Sequence, residues 1–166
     1  LWLGFGVEAL ALTDSFAADA PDAALWRSMA RGVDGLPDPD PSFAGMLGCD
    51  GAAAFWAAVA EPRLLPPDVD EAAVIRTFSG LPPHLRRLLG PPLVERFLNG
   101  GDATTARALR DAMTRGSGQA SGGLVDAELA LRNGDPARAS DIARAALAVA
   151  ASIRPVTSWP AGPIAR

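Results

Sequence analysis

The stretch LVERFLNGGDATTARALRDAM, residues 93–113, and the stretch LVDAELALRNGDPARASDIARAALAV, residues 124–149, decide the fold. They align on Gly101-Asp102 and Gly134-Asp135, which lie 33 residues apart. In each, an apolar segment runs into a Gly-Asp pair and an Ala-rich segment leaves it. At this offset Ala106 matches Ala139, Leu109 matches Ile142 and Ala112 matches Ala145, while Asn99 and Asn133 stand near the two turns. The pattern describes an interhelical turn: glycine supplies the tight bend, and the aspartate caps the helix that follows. Small side chains then let two antiparallel helices approach closely. Two earlier sites share the spacing, Gly4 with Ala9 and Phe16, and Gly48 with Ala53 and Ala60. Alanine is common enough here that the second match carries little weight.

Working outward, helical periodicity and punctuation divide the rest of the chain. Val7 to Ala18 reads as an amphipathic helix whose strip is broken by Asp14. The next runs from Pro21 to Gly32, capped by Asp19, with Leu25, Trp26 and Met29 on one face. Residues 33–42 form a Pro/Asp loop that cannot continue a helix. After the short apolar stretch Phe43 to Leu47, Asp50 caps a helix over Gly51 to Glu61, apolar on every side and therefore expected to be buried. Pro62, Pro66 and Pro67 mark the next connection. Asp68 with Glu71 opens a helix that ends at Gly80. Pro82-Pro83 and Pro91-Pro92 each open a short helix, His84 to Leu89 closed by Gly90 and Leu93 to Asn99 closed by Gly100-Gly101. Asp102 caps Ala103 to Arg115, and Gly116 to Gly123 reads as a flexible linker. Leu124 to Arg132 and Asp135 to Ser152 make the last pair, leaving an irregular tail over 154–166. No segment alternates polar and apolar residues for long, so the expected fold is all-α: antiparallel helix-turn-helix pairs in one domain over residues 1–153, as an irregular solenoid or bundle.

Bulk properties narrow the function. The 166 residues are 49% hydrophobic and 20% charged, within the globular range. No apolar run reaches the roughly 18–20 residues needed to cross a bilayer, so no membrane insertion is expected. The net charge of −4 argues against bulk attraction to nucleic acid. All fifteen basic residues are Arg, and Tyr is absent. With the abundant Ala, Gly and Pro, this points to a GC-rich, bacterial coding sequence. The chain opens on Leu1-Trp-Leu-Gly without an initiator Met, which suggests a fragment of a larger chain. The compartment stays open, with a lean towards the periplasm over the cytoplasm.

The run Asn133-Gly-Asp-Pro136, with Ala139, Ala146 and Leu147, resembles tetratricopeptide-like repeats. Gly4 to Leu10, with Glu8-Ala9-Leu10, is similar to the turn and second helix of another such unit. The resemblance covers the first 30 residues and residues 91–150. The large aromatic of the family's first helix is matched by Phe97, whereas the last unit has Ala130 there, and the spacing between the four turns is irregular. The resemblance implies a scaffold that binds a protein or peptide.

Candidate chemistry is sparse. A single cysteine rules out an intrachain disulfide. Cys49, just ahead of a helix start, and His84 are the one thiol–imidazole combination for a cysteine-dependent hydrolase, and nothing in the sequence brings them together. No His-x-x-x-His or Cys-x-x-Cys pattern marks a metal site. Arg76, Arg86, Arg87 and Arg96 lie near His84 in sequence, but a solvated helix face explains them better than an anion patch. Residues 116–123 lack the lysine and preceding strand of a phosphate loop. Asp38 and Asp40 lack a calcium-loop pattern, and capping accounts for Asp68, Asp70 and Glu71. Trp2, Trp26, Phe55 and Trp56 read as packing residues; an exposed Trp could instead anchor a partner peptide. No catalytic, cofactor or metal residue is assigned. The expected function is a protein-interaction module, with an architectural segment flanking another domain as the alternative.

Overall fold

The computed structural model describes residues 3–61, 68–115 and 123–152, and contains helices with no strand among them. The helices are α1 (Gly6–Phe16), α2 (Ala23–Val33), α3 (Ala52–Ala60), α4 (Glu71–Gly80), α5 (Pro83–Asn99), α6 (Ala103–Thr114), α7 (Gly123–Arg132) and α8 (Pro136–Ser152). Consecutive helices pack in pairs, α1 on α2, α3 on α4, α5 on α6 and α7 on α8, and the pairs join through α2–α3, α4–α6, α5–α7 and α6–α7. The linker residues 116–122, the prolines within 62–67, Trp2 and the tail beyond 152 lie outside the described residues.

The two Gly-Asp turns are built alike. Gly101 (φ 85°) and Gly134 (φ 78°) adopt the left-handed conformation that the turn requires. In the first, Gly101 N–H donates to the Leu98 carbonyl and Asp102 N–H to that of Phe97; in the second, Gly134 donates to Leu131 and Asp135 to Ala130. Each aspartate then turns its side chain to the next helix. Asp102 Oδ1 accepts from the N–H groups of Thr104 and Thr105, at 3.1 and 3.0 Å, and Asp135 Oδ1 accepts from Arg138 N–H at 3.0 Å. Gly4 and Gly48 have no such role: the first precedes α1, and the second lies in irregular chain before α3.

Close helix crossings depend on missing side chains. A Cβ on Gly6 would meet the Ala30 carbonyl oxygen at 2.3 Å, one on Gly90 would meet Met113 Sδ at 2.4 Å, and one on Gly123 would meet Ala146 Cβ at 2.7 Å. These contacts join α1 to α2, α5 to α6 and α7 to α8. Gly32 likewise does not end α2; it packs on Val59, and the helix runs on to a turn at Gly35, where Leu36 N–H donates to the Arg31 carbonyl. The same close approach explains why the small Ala23 and Ala30 are buried in α2 while Trp26 remains 38% exposed.

The main core spans α3 to α7. Phe55, Phe78, Leu93, Leu109 and Met113 are fully enclosed, and Phe55 meets Trp56 edge-on at 5.1 Å. Helix α3 is buried on most sides, as its composition predicts. The largest departure from expectation is α5, one continuous helix where the prolines suggested two. Pro91 and Pro92 remove two backbone donors, which would normally break a helix. Both prolines lie on the exposed side with Arg87 and Leu88, whose carbonyls lose those donors, while Leu85, Leu89, Leu93 and Phe97 form an unbroken buried stripe on the other side. Burying four large side chains at roughly 1.5–3 kcal/mol each outweighs an interruption of about 3 kcal/mol per proline only because the exposed carbonyls can turn to water.

Three caps also differ from the sequence reading. Asp70, not Asp68, caps α4, accepting from Ala73 N–H at 2.8 Å. Asp50 pairs with Arg76 at 2.6 Å instead of capping α3, and the residue before α2 is Asp22, with no side-chain cap.

Candidate functional site

Two concavities stand out among the described residues. The first, about 580 Å³, lies beside the Pro/Asp loop and is lined by Leu36, Pro37, Phe43 and Val59, with Glu61 and Arg96 at its edge. Its one guanidinium serves the fold: Arg96 Nη1 donates to the carbonyls of Ala58 and Val59, at 2.7 and 2.9 Å, closing the C-terminal end of α3. Burial lowers the Arg96 pKa, with Glu61 and Glu95 pulling in the opposite direction.

The second, about 680 Å³, is a polar groove where α6 meets the α7–α8 pair. Leu129, Ala130 and Ile142 line it together with Arg107, Arg110 and Arg138, and with Asp111, Asp126 and Asp135. The groove exists because the two Gly-Asp turns sit side by side. Arg107 of α6 donates to Asn133 Oδ1 of the second turn at 2.9 Å, and Arg132 of α7 donates to Asn99 Oδ1 of the first at 2.6 Å. Each turn asparagine is thus held by an arginine of the other pair.

The charges in this groove are unevenly satisfied. Arg110 grips Asp126 through both Nε and Nη2, the latter at 2.8 Å, and reaches Asp111 with Nη1 at 2.9 Å. Its pKa is raised, first by the bond to Asp126 and then by that to Asp111. Asp135 is engaged as the cap of α8. That leaves two guanidinium groups with donors to spare. Arg107 has only the amide oxygen of Asn133 as a side-chain partner, and the Arg138 side chain makes no hydrogen bond or ion pair among the described residues.

Whole-chain charge concealed this feature. Residues 1–75 hold three arginines against twelve carboxylates, whereas residues 76–166 hold twelve arginines against seven. Counting charge by halves would have pointed to the second half, although not to which arginines lack partners.

The other sequence candidates are placed as follows. Cys49 is an exposed free thiol in the turn ahead of α3, and His84 is half-buried in the first turn of α5. Arg86 donates to the carbonyls of Ser79 and Arg115, both at 2.8 Å, tying together the C-terminal ends of α4 and α6. Arg76 is held by Asp50, and Arg87 is exposed. These four arginines therefore form no patch. Asp38 sits at 3.9 Å from Arg31, and no group of metal-ligating side chains occurs among the described residues. No helix there is long and apolar enough to cross a membrane. Comparison with protein-family models, with curated proteins and with solved structures finds no match to this chain.

Proposed function

We propose that this chain is a protein-interaction module of the tetratricopeptide-like kind, with the groove between α6 and the α7–α8 pair as its contact surface. The observation that carries this reading is the repeated Gly-Asp hairpin, set side by side with its neighbour so that a polar groove lined by both arginines and aspartates opens at the junction. Repeat architectures use such inter-unit surfaces to hold partners, and a groove that mixes charged groups of both signs with the apolar Leu129, Ala130 and Ile142 suits a polypeptide. The test is capture from a native bacterial extract by the immobilised chain, beside a variant carrying both Arg107→Glu and Arg138→Glu. A partner retained by the first and lost from the second supports the reading. Partners held equally by both, or none at all, overturn it.

A second reading, an architectural segment packed against a neighbouring domain, draws on exposed apolar side chains near the C-terminal end of α8. Leu147 is 65% exposed there and Val149, on a different side of the helix, 48%. Substituting both by Ser would then weaken docking to the flanking domain while leaving groove-dependent capture intact.

A further inference from the structure

We propose that Asn133 is a site of self-modification: the backbone nitrogen of Gly134 attacks its side-chain amide, and the turn between α7 and α8 acquires aspartate or isoaspartate. This holds whatever partner the groove takes. Asparagine is a labile residue, and a following glycine has no side chain to shield the attacking nitrogen. The chain has two such pairs, Asn99-Gly100 and Asn133-Gly134, and both are exposed.

Water is the only co-reactant. The Gly134 nitrogen gives up its proton and bonds to Asn133 Cγ, the C–N bond of the side-chain amide breaks, and ammonia leaves carrying a proton. Water then opens the cyclic imide. Opening at Cγ restores the main chain with an aspartate. Opening at the backbone carbonyl leaves the main chain running through Cβ and Cγ, as isoaspartate.

The fold separates the two pairs. Asn99 is the last residue of α5, where helical ψ holds the next nitrogen away from the side-chain carbonyl carbon. Gly100 N–H continues the helical ladder, donating to the Arg96 carbonyl at 2.9 Å, and the neighbouring Phe97 and Leu98 are buried. Asn133 stands one residue beyond α7 and is followed directly by the left-handed Gly134. Gly134 N–H donates to the Leu131 carbonyl at 3.0 Å in an exposed turn, and α8 beyond it packs chiefly on α7. Freeing that nitrogen opens only an edge of the fold, where local stability is least.

The product changes what the groove presents. Asn133 Oδ1 accepts from Arg107 Nη2 at 2.9 Å, so a carboxylate formed there turns a neutral contact into an ion pair. Isoaspartate lengthens the main chain by one methylene inside the turn, and the bonds from Gly134 to Leu131 and from Asp135 to Ala130 fall out of register.

Incubating the full chain at mildly alkaline pH, in buffer and in urea, tests this. Trypsin releases residues 97–107 and 133–138, so mass spectrometry and chromatography of the two peptides read the sites separately. In buffer Asn133 should convert about 3- to 10-fold faster than Asn99, the ratio given by a difference of one hydrogen bond in the cost of opening. In urea the two rates should converge. Asn133→Gln, which would have to close a larger ring, should abolish conversion at that position and leave the helical circular dichroism unaltered. Conversion at Asn99 as fast as at Asn133 in buffer, a ratio that is the same in buffer and urea, or an Asn133 that stays intact in buffer while the urea sample converts, overturns the proposal.

Discussion

The α5–α6 and α7–α8 pairs share one turn and differ in nearly everything around it. Gly101-Asp102 and Gly134-Asp135 close the preceding helix with the same two backbone bonds and cap the next with the same side chain. Yet Leu109 of α6 is fully buried, and its counterpart Ile142 of α8 is partly exposed. Ala112 is buried, and its counterpart Ala145 is exposed. The reason is position. Helix α6 has α4, α5 and α7 against it, whereas α8 packs chiefly on α7. A turn is thus encoded by the residues within it, but burial is conferred by neighbours.

The sharpest way to break this comparison is to truncate the matched residues. Leu109→Ala opens a cavity among Phe78, Leu93 and the rest of the central cluster, and should cost about 2–5 kcal/mol in urea unfolding. Ile142→Ala removes a side chain already in contact with water and should cost less than about 1.5 kcal/mol. Equal costs at the two positions would mean that α8 is covered on both faces, and that the two pairs are equivalent after all.

The same distinction explains what could be read from the sequence. The Gly-Asp turns, the cap at Asp102 and the buried α3 were legible because each depends on residues within a few positions of one another. The continuity of α5 was not. Two adjacent prolines are a local stop signal, and it is overridden by the stripe from Leu85 to Phe97, whose worth depends on which helices lie against it. Capping at Asp50 failed because α3 begins at Ala52 with Gly51 (φ 86°) in the cap position, which leaves Asp50 outside the helix, paired with Arg76 of α4. Within the groove, Arg107 and Arg138 could be seen only as two arginines among fifteen. Their surplus of donors emerges once Arg110 is found to hold Asp126 and Asp111.

The caps sharpen the comparison at an intermediate scale. Asp102 satisfies two N–H groups ahead of a buried helix, and Asp135 satisfies one ahead of an exposed helix. Asp102→Ala should lower stability by about 1–2 kcal/mol, and Asp135→Ala by about 0.5–1 kcal/mol. Thermal unfolding followed by circular dichroism at 222 nm reads both, with the wavelength roughly that of the helical minimum. The order matters more than the values. A larger loss at Asp135 would show that α8 depends on its own turn, having less packing to hold it.

The smallest effect should come from the bonds that join the two turns. Arg107 to Asn133 and Arg132 to Asn99 link exposed side chains, and such contacts contribute well under about 1 kcal/mol because water competes for every donor. The ion pair of Arg110 with Asp126 is more sheltered, with side chains 33% and 25% exposed, and is gripped through two nitrogens. Asp126→Asn should therefore cost more than Asn133→Ala, about 1 kcal/mol against a few tenths, and added salt should narrow the gap by screening the charged pair. If Asn133→Ala proves the costlier, the turns are fastened by their asparagines, and the register between the two pairs rests on the reciprocal arginine contacts rather than on the ion pair across the groove.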